Sequence, residues 1–445
     1  MRITALRRTS GRRRVNVTSD DRLIAMAVLT YLLYGDNPTY ELEFLLGALS
    51  ARVHLRTDRD ADPIRLVLIS DRPRFGEGFP FDVHVVPRET VHAWARRPAA
   101  PKAGQPPRGA ASAASVGAPA RRPAAPKAGQ PPRGAASAAS VGAPTSAPGR
   151  VYNHRIKVLA LLEAMHLAAD GEPVALVDTD TIFTASPRRL FERIGPDATV
   201  MHEQEVPAIA DDPDCADVVE YIRNGVEIGG FRMSPATPLF NSGVIGVLPS
   251  HRPLVEQVLA LLDALYDRAP VFNVEQFAFG VVLDQRTKLA TCKDVVRHYW
   301  GHTRGFIHVQ AARHLGPRDA KTFREREMQP LPYLGEPTKA WQDKVASRLR
   351  GALGHWSQEY RFAYLAARSA HREASRDPAF ANAWAALALE GLQRLAGEAS
   401  TPRVRADFSA WFAQPAARLP WLDRELHARW QAFLVDCSVA AAPRA

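Results

Sequence analysis

Apolar residues along this chain fall into short unbroken runs separated by longer stretches with helical spacing. The run RLIAMAVLTYL (22–32) reads as a strand, and NPTYELEFLLGALSA (37–51) as a helix with Asp36 or Asn37 near its N-cap. IRLVLIS (64–70) and FDVHVVP (81–87) read as two further strands. HRIKVLALLEAMHLAA (154–169) has the apolar spacing of a helix. It leads into VALVDTDTIF (174–183), a strand apolar on both faces, as in a parallel sheet. LFNSGVIGVLP (239–249) is strand-like, and PLVEQVLALLDALYDRA (253–269) is a helix. Strands alternating with helices predict a doubly wound α/β fold that binds ligands at the carboxyl ends of its strands. From about 331 onward only helical patterns remain. Trp341, Trp356, Trp384, Trp411, Trp421 and Trp430 lie there, and a helical cap packed through these tryptophans is expected.

Composition changes this picture in one place. ARRPAAPKAGQPPRGAASAASVGAP (95–119) recurs unchanged as 120–144. Each unit has one Val and no other large apolar residue, too little to offset the entropy of ordering it. Residues 95–150 are therefore expected to be a disordered loop inside one domain. The expected organisation is a basic tail (1–19), a first half-domain (20–94), that loop, a second half-domain (151–330) and a helical region (331–445).

The net charge of +10 sits in the same segments. Residues 1–14 carry six Arg, and 95–150 carry nine Lys or Arg, with no acid in either. The remainder is mildly acidic. These basic runs lack interleaved aromatics and a docking motif, so no specific nucleic-acid partner is expected. Cys215, Cys292 and Cys437 form no CxxC pair and suit a reducing, cytoplasmic setting. LIAMAVLTYLL (23–33) is too short to span a bilayer and has no cleavage signal after it. Without a spanning segment, contact with a membrane would be peripheral, at its inner face.

The chemistry concentrates at Asp178 and Asp180, where an apolar run ends in two carboxylates. If the chain turns there, both reach one divalent cation, and hard oxygen ligands suit Mg or Mn. Such a cation stabilises the charge on a departing diphosphate. Further along come NSG (241–243) and HYWGHTR (298–304), which reads H-x-x-G-x-x-basic. In this order the three motifs resemble the nucleotide-sugar glycosyltransferases of GT-A fold. The similarity is greatest to family 8, which includes glycogenin and the bacterial lipopolysaccharide glycosyltransferases. It covers roughly residues 22–310.

The resemblance implies a Rossmann-like GT-A domain and a Mn-dependent hexosyltransferase using a nucleotide-diphosphate sugar, a UDP-sugar, with a glycan, lipid or protein acceptor. It implies Asp178, Asp180 and His298 as metal ligands, the free His298 nitrogen needing an acceptor behind it. Gly301 would let the backbone approach the diphosphate, and Arg304 and Lys157 would supply positive charge. Asn241 would face the donor sugar or acceptor, with Glu275 and Gln276 on the sugar side. Thr30, at the end of the first strand, and Asp36 would meet the nucleoside, with Tyr31 and Tyr34 competing for a stacking place. Gly305-Phe306 departs from the family's Pro-Trp, and Glu275 stands where the family has Asp. Family 8 retains anomeric configuration.

His302 and His308 read as structural or solvent-facing. Two other readings stay open. VALVDTDTIF also fits a haloacid-dehalogenase-type phosphatase, with Asp178 as nucleophile, Asp180 as acid/base and Asp211-Asp212 as the later acids. A non-catalytic nucleotide-sugar-binding protein would keep the same ligands.

Overall fold

The structure is a computed structural model that describes residues 27–57, 64–96, 152–269, 273–354, 356–395 and 402–439. The basic tail and the tandem repeat beyond Arg96 lie outside the described residues, as does the disorder expected of them.

The chain opens as β1 (Ala27–Leu33), α1 (Pro38–Thr57), β2 (Ile64–Ser70), β3 (Asp82–Val85) and α2 (Arg88–Trp94). After the insertion come α3 (Arg155–Leu167), β4 (Val174–Val177), β5 (Thr181–Phe183), α4 (Arg188–Phe191) and β6 (Ala198–Val206). Then follow α5 (Ala216–Tyr221), the hairpin β7 (Val226–Ile228) and β8 (Phe231–Met233), β9 (Leu239–Val247), α6 (Arg252–Tyr266), α7 (Val274–Arg286), β10 (Lys288–Thr291) and β11 (Val296–His298). The expected strand 174–183 is thus two strands with a turn over the DTD. VEQFAFGVVL, to which the sequence pattern assigns no type, is helical.

Seven strands form one sheet in the order β10-β6-β9-β4-β1-β2-β3. All run parallel except β9. β1 pairs with β2 on one side and β4 on the other, so the strand order reverses between β1 and β4. A crevice outside the carboxyl ends of the strands opens at such a reversal. Successive residues of β1 and β4 face opposite cores. Val28, Val174 and Leu176 pack with α3, α6 and α7, and Leu29, Tyr31, Ala175 and Val177 with α1. This two-sided burial is why both strands are apolar throughout. The fold class is the expected one, a mostly parallel Rossmann-like sheet of GT-A type flanked by helices, with an all-helical region at the C-terminal end.

The described flanks of the insertion meet. The Tyr152 amide donates to the Ala95 carbonyl (2.9 Å). Arg155 holds the Trp94 carbonyl (2.8 Å) while its Nε binds Asp263 on α6 (2.9 Å). Ala95, expected to begin the loop, is instead buried at the end of α2.

On the α1 side lie α8 (Arg304–Leu315) and α9 (Ala320–Glu327). The helical region comprises α10 (Trp341–Gly354), α11 (Gln358–Glu373), α12 (Pro378–Arg394), α13 (Pro402–Phe412) and α14 (Arg424–Val439). Trp384 and Trp430 are central to its core, and Trp356, Trp411 and Trp421 pack against it. Trp341 does not, being 69% exposed. Phe306 of α8 is fully buried in this core, 4.5 Å from Trp384 between ring centroids. Arg313 grips Asp377 through both nitrogens (2.7 and 2.6 Å). Phe306 therefore fastens the helical region to the sheet domain. No helix among the described residues is long and apolar enough to cross a membrane.

Candidate metal and donor site

β4 delivers Asp178 to the carboxyl edge of the sheet, and the chain then turns. Thr181 Oγ1 donates to the Asp178 carbonyl (2.7 Å), and the Asp178 amide donates to the Gly243 carbonyl on β9 (2.9 Å). β5 leaves the turn paired antiparallel with β11, His298 opposite Thr181. The Tyr299 amide donates to the Asp180 carbonyl (3.0 Å). Pairing 118 residues apart thus fixes the imidazole beside the second aspartate, with His298 Nε2 3.0 Å from Asp180 Oδ1.

Asp178, Asp180 and His298 each offer one ligand atom, and these atoms lie within 4.8 Å of one another. Two carboxylate oxygens and one imidazole nitrogen suit a borderline-hard divalent cation such as Mn. The imidazole is also held in the right tautomer. Asn241 Nδ2 donates to Glu205 (2.7 Å) and its Oδ1 accepts from the Gly243 amide (2.7 Å), so Oδ1 can only accept. His298 Nδ1, 3.1 Å away, must therefore carry hydrogen, so Nε2, which faces Asp180, is the nitrogen that would exchange its proton for a metal. Gly243 makes room for this. A Cβ there would lie 2.6 Å from His298 Nδ1 and 2.8 Å from Asn241 Oδ1.

Two ion-pair systems flank the triad, one through Lys157 and one through Arg304. Lys157, in the first turn of α3, reaches Asp178 (2.7 Å) and Ser242 Oγ (3.1 Å). Burial would lower its pKa, but Asp178 and Glu275 outweigh this and raise it. Burial would likewise raise the Asp180 carboxyl and lower the His298 imidazole. Their mutual attraction reverses both, leaving Asp180 well below the ordinary range and His298 above it.

Glu275 and Gln276 are both buried and are engaged by neighbouring side chains. Glu275 accepts from Ser242 (2.8 Å) and Tyr152 (3.2 Å), and Gln276 donates to Glu205 (2.8 Å). Burial would raise the Glu275 carboxyl, yet His154 and Lys157 hold it down at about 2. Glu205 is raised by burial, which outweighs its amide donors.

Arg304 lies one turn beyond His298, at the start of α8. Its Nε and Nη2 bind the two oxygens of Glu43 (2.6 and 3.0 Å), a wholly buried carboxylate on α1. His308 binds the same carboxylate (2.7 Å), as does Thr179 (3.3 Å). Gly301 has φ +82° and open space at its α-carbon, so glycine eases a left-handed turn there. His302 lies in that turn, outside the strand that carries His298.

The nucleoside candidates separate. β1 continues to Leu33, so Thr30 is mid-strand and 0% exposed, and it presents nothing to a ligand. Tyr31 is packed against Phe44. Tyr34 is near enough to Tyr40 and Asp178 for both, added to burial, to push its phenol up to about 12. Asp36 follows β1 and is bound by both terminal nitrogens of Arg88 (2.8 and 3.1 Å). With Asp71, Arg72, Phe75 and Arg88 it lines an open cleft of about 520 Å³ at the carboxyl ends of β1 and β2. Asp211 and Asp212, which the phosphatase reading needs at a strand end, instead lie in short 3-10 turns after β6. Asp212 caps one of these by accepting from the Asp214 amide (3.0 Å).

Glu43, Glu205 and Ser242 belong to the site although no motif marks the first two. Glu43 had one signal, a carboxylate set between Leu42 and Phe44 in an apolar helix face.

No protein-family model and no curated protein matches the chain. Solved structures do match, among them three glycosyltransferases. The WbbM bifunctional glycosyltransferase in its apo form is 10% identical over 60% of this chain, TM-score 0.31, and this chain spans 39% of its length. The galactosyltransferase LgtC, in complex with donor and acceptor sugar analogues, is 12% identical over 75% of this chain and 99% of its own, TM-score 0.32. Mouse xyloside xylosyltransferase 1, apo form, is 11% identical over 60% and 84%, TM-score 0.33. Likeness at this level carries no argument about activity, and the fold assignment rests on the strand order itself.

Proposed function

We propose that this chain is a metal-dependent glycosyltransferase that moves a sugar from a nucleotide-diphosphate donor, a UDP-sugar, to an acceptor hydroxyl. The observation that carries the reading is the Asp178–Asp180–His298 cluster at the carboxyl end of β4, beside the strand-order reversal. A Mn ion held there would neutralise the diphosphate of the donor as it departs. Lys157 and Arg304 flank the cluster and add fixed positive charge for the leaving oxygens. Glu275 and Glu43 hold these two side chains in place, so each is positioned before a ligand arrives. The cleft lined by Asp36 and Arg72 takes the nucleoside, with Tyr34 on the side toward Asp178. Asn241 and Gln276 act through Glu205 and His298 rather than on the sugar directly.

The test is a panel of nucleotide sugars incubated with the protein and Mn, scored for free nucleoside diphosphate. Turnover with at least one donor, dependent on Mn and lost in Asp180→Ala and His298→Ala, is expected. Mn-independent release of phosphate from simple esters by the same protein would instead favour the phosphatase. Donor binding without any turnover would leave a binding protein.

A further inference from the structure

α10 is built inside out. Its buried positions are Asp343, Ser347 and Gly351, and its exposed large apolar residues are Trp341, Val345, Leu349 and Leu353. At about 100° per residue each set advances by four and forms one stripe, and the two stripes lie on opposite sides of the helix. The inward stripe explains the orientation. Asp343 is held by Arg368 (2.9 Å) and by Arg372 (2.6 and 2.9 Å) of α11. Ser347 Oγ donates to the Arg361 carbonyl (2.9 Å). A Cβ at Gly351 would lie 3.0 Å from the Arg361 side chain. Turning the helix over would bury four large apolar groups and expose none, yet it would break this ion-paired seam and strand Arg368 and Arg372. The stripe is therefore held outward, and Leu353 is 85% exposed.

Charge says what covers it. Lys344 and Arg348 border the stripe on one side and Arg350 on the other, by the same helical geometry. The helix has one acid, Asp343, which is buried and neutralised by two arginines. A second copy of the helix would set these cations against their equals. A negatively charged apolar boundary suits them, and a Trp at the end of the stripe suits the depth of lipid headgroups.

We infer that α10 seats the protein on an anionic lipid bilayer, its Trp341–Leu353 stripe entering the acyl boundary and Lys344, Arg348 and Arg350 meeting the headgroups. This holds whatever reaction the triad performs.

The experiment is co-sedimentation of the full chain with vesicles of phosphatidylcholine alone and of phosphatidylcholine mixed with phosphatidylglycerol. Binding to the anionic vesicles only, weakened by salt, is expected. Leu349→Glu with Leu353→Glu should abolish it while the thermal melt stays unchanged, because both side chains are exposed. Lys344→Gln, Arg348→Gln and Arg350→Gln together should weaken it about a hundredfold, at roughly fivefold per cation. Brominated lipid should quench tryptophan fluorescence in the wild type and much less in Trp341→Phe. Binding retained in the double-Glu variant would mean that basic segments elsewhere do the work, and would overturn the inference. So would self-association of the free protein that the same variant abolishes, since the stripe would then be a contact between copies.

Discussion

Asn241 Oδ1 lies 3.1 Å from His298 Nδ1, and its amide nitrogen is committed to Glu205. The side chain is thus a fixed link between a half-buried carboxylate and the imidazole of the candidate metal site. Asn241→Ala should weaken Mn binding by about 10- to 100-fold, the usual effect of losing the partner behind a histidine ligand. Titration calorimetry on the protein without donor reads this directly. Unchanged affinity would show that the imidazole is oriented by its strand pairing alone.

Gly243→Ala is expected to be the more damaging change. Its new methyl would meet His298 Nδ1 and Asn241 Oδ1 well inside contact distance, and the first of these belongs to the ring that must face the aspartates. Overpacking of this kind costs about 1–3 kcal/mol. A lower denaturation midpoint together with lost Mn binding is expected, and a crystal structure of the variant should show the His298 ring displaced.

Glu43 binds Arg304 and His308 from a fully buried position. Removing one member of such a system leaves the others uncompensated and costs about 3–5 kcal/mol. Glu43→Ala should therefore lower the urea midpoint sharply, whereas Arg304→Lys, which keeps the charge and loses the fork, should lower it less. Equal losses would indicate that the two-point geometry contributes nothing.

The Glu275 carboxyl, held at about 2, predicts an acid limb. A pKa below its unfolded value contributes stability that is fully present above the unfolded pKa. That contribution is lost as pH falls from about 4.5 toward 2, and it is worth on the order of 3 kcal/mol. Glu275→Gln should be less stable than the wild type at neutral pH and should converge with it near pH 2. Parallel curves across the whole range would contradict the assignment.

Removing one copy of the repeat, residues 120–144, should leave the melting temperature unchanged. The described stitch between Ala95 and Tyr152 and the Arg155–Asp263 pair lie outside the deletion and keep α2 and α3 together. A marked fall in melting temperature would show that the repeat contributes to the fold.

Strands β1 to β4 and β9 and the triad were legible because each is marked locally, whereas β6, polar in its second half, and the short β10 and β11 do not stand out. Asp178 and Asp180 break an apolar run, and NSG and HxxGxxR break the pattern around them. What surrounds the triad was not legible, because its meaning depends on pairings between distant segments. Glu43 meets Arg304 across 261 residues, and Glu205 meets Gln276 across 71. Thr30 was misplaced because a polar residue inside an apolar run does not mark its end, and the strand continues past it to Leu33. The outward face of α10 inverts the rule that apolar residues turn inward. Only the Asp343 pairing with α11, visible in three dimensions, explains it.

β9 runs against its neighbours, so Asn241 and Gly243, near its start, arrive at the same edge as Asp178, at the end of β4. β11 then closes over β5 to bring in His298. No fragment lacking either half of this span can assemble the ligands, and a cation bound by all three stabilises only the finished sheet. Tight metal binding would therefore report that a pairing across 118 residues has been completed.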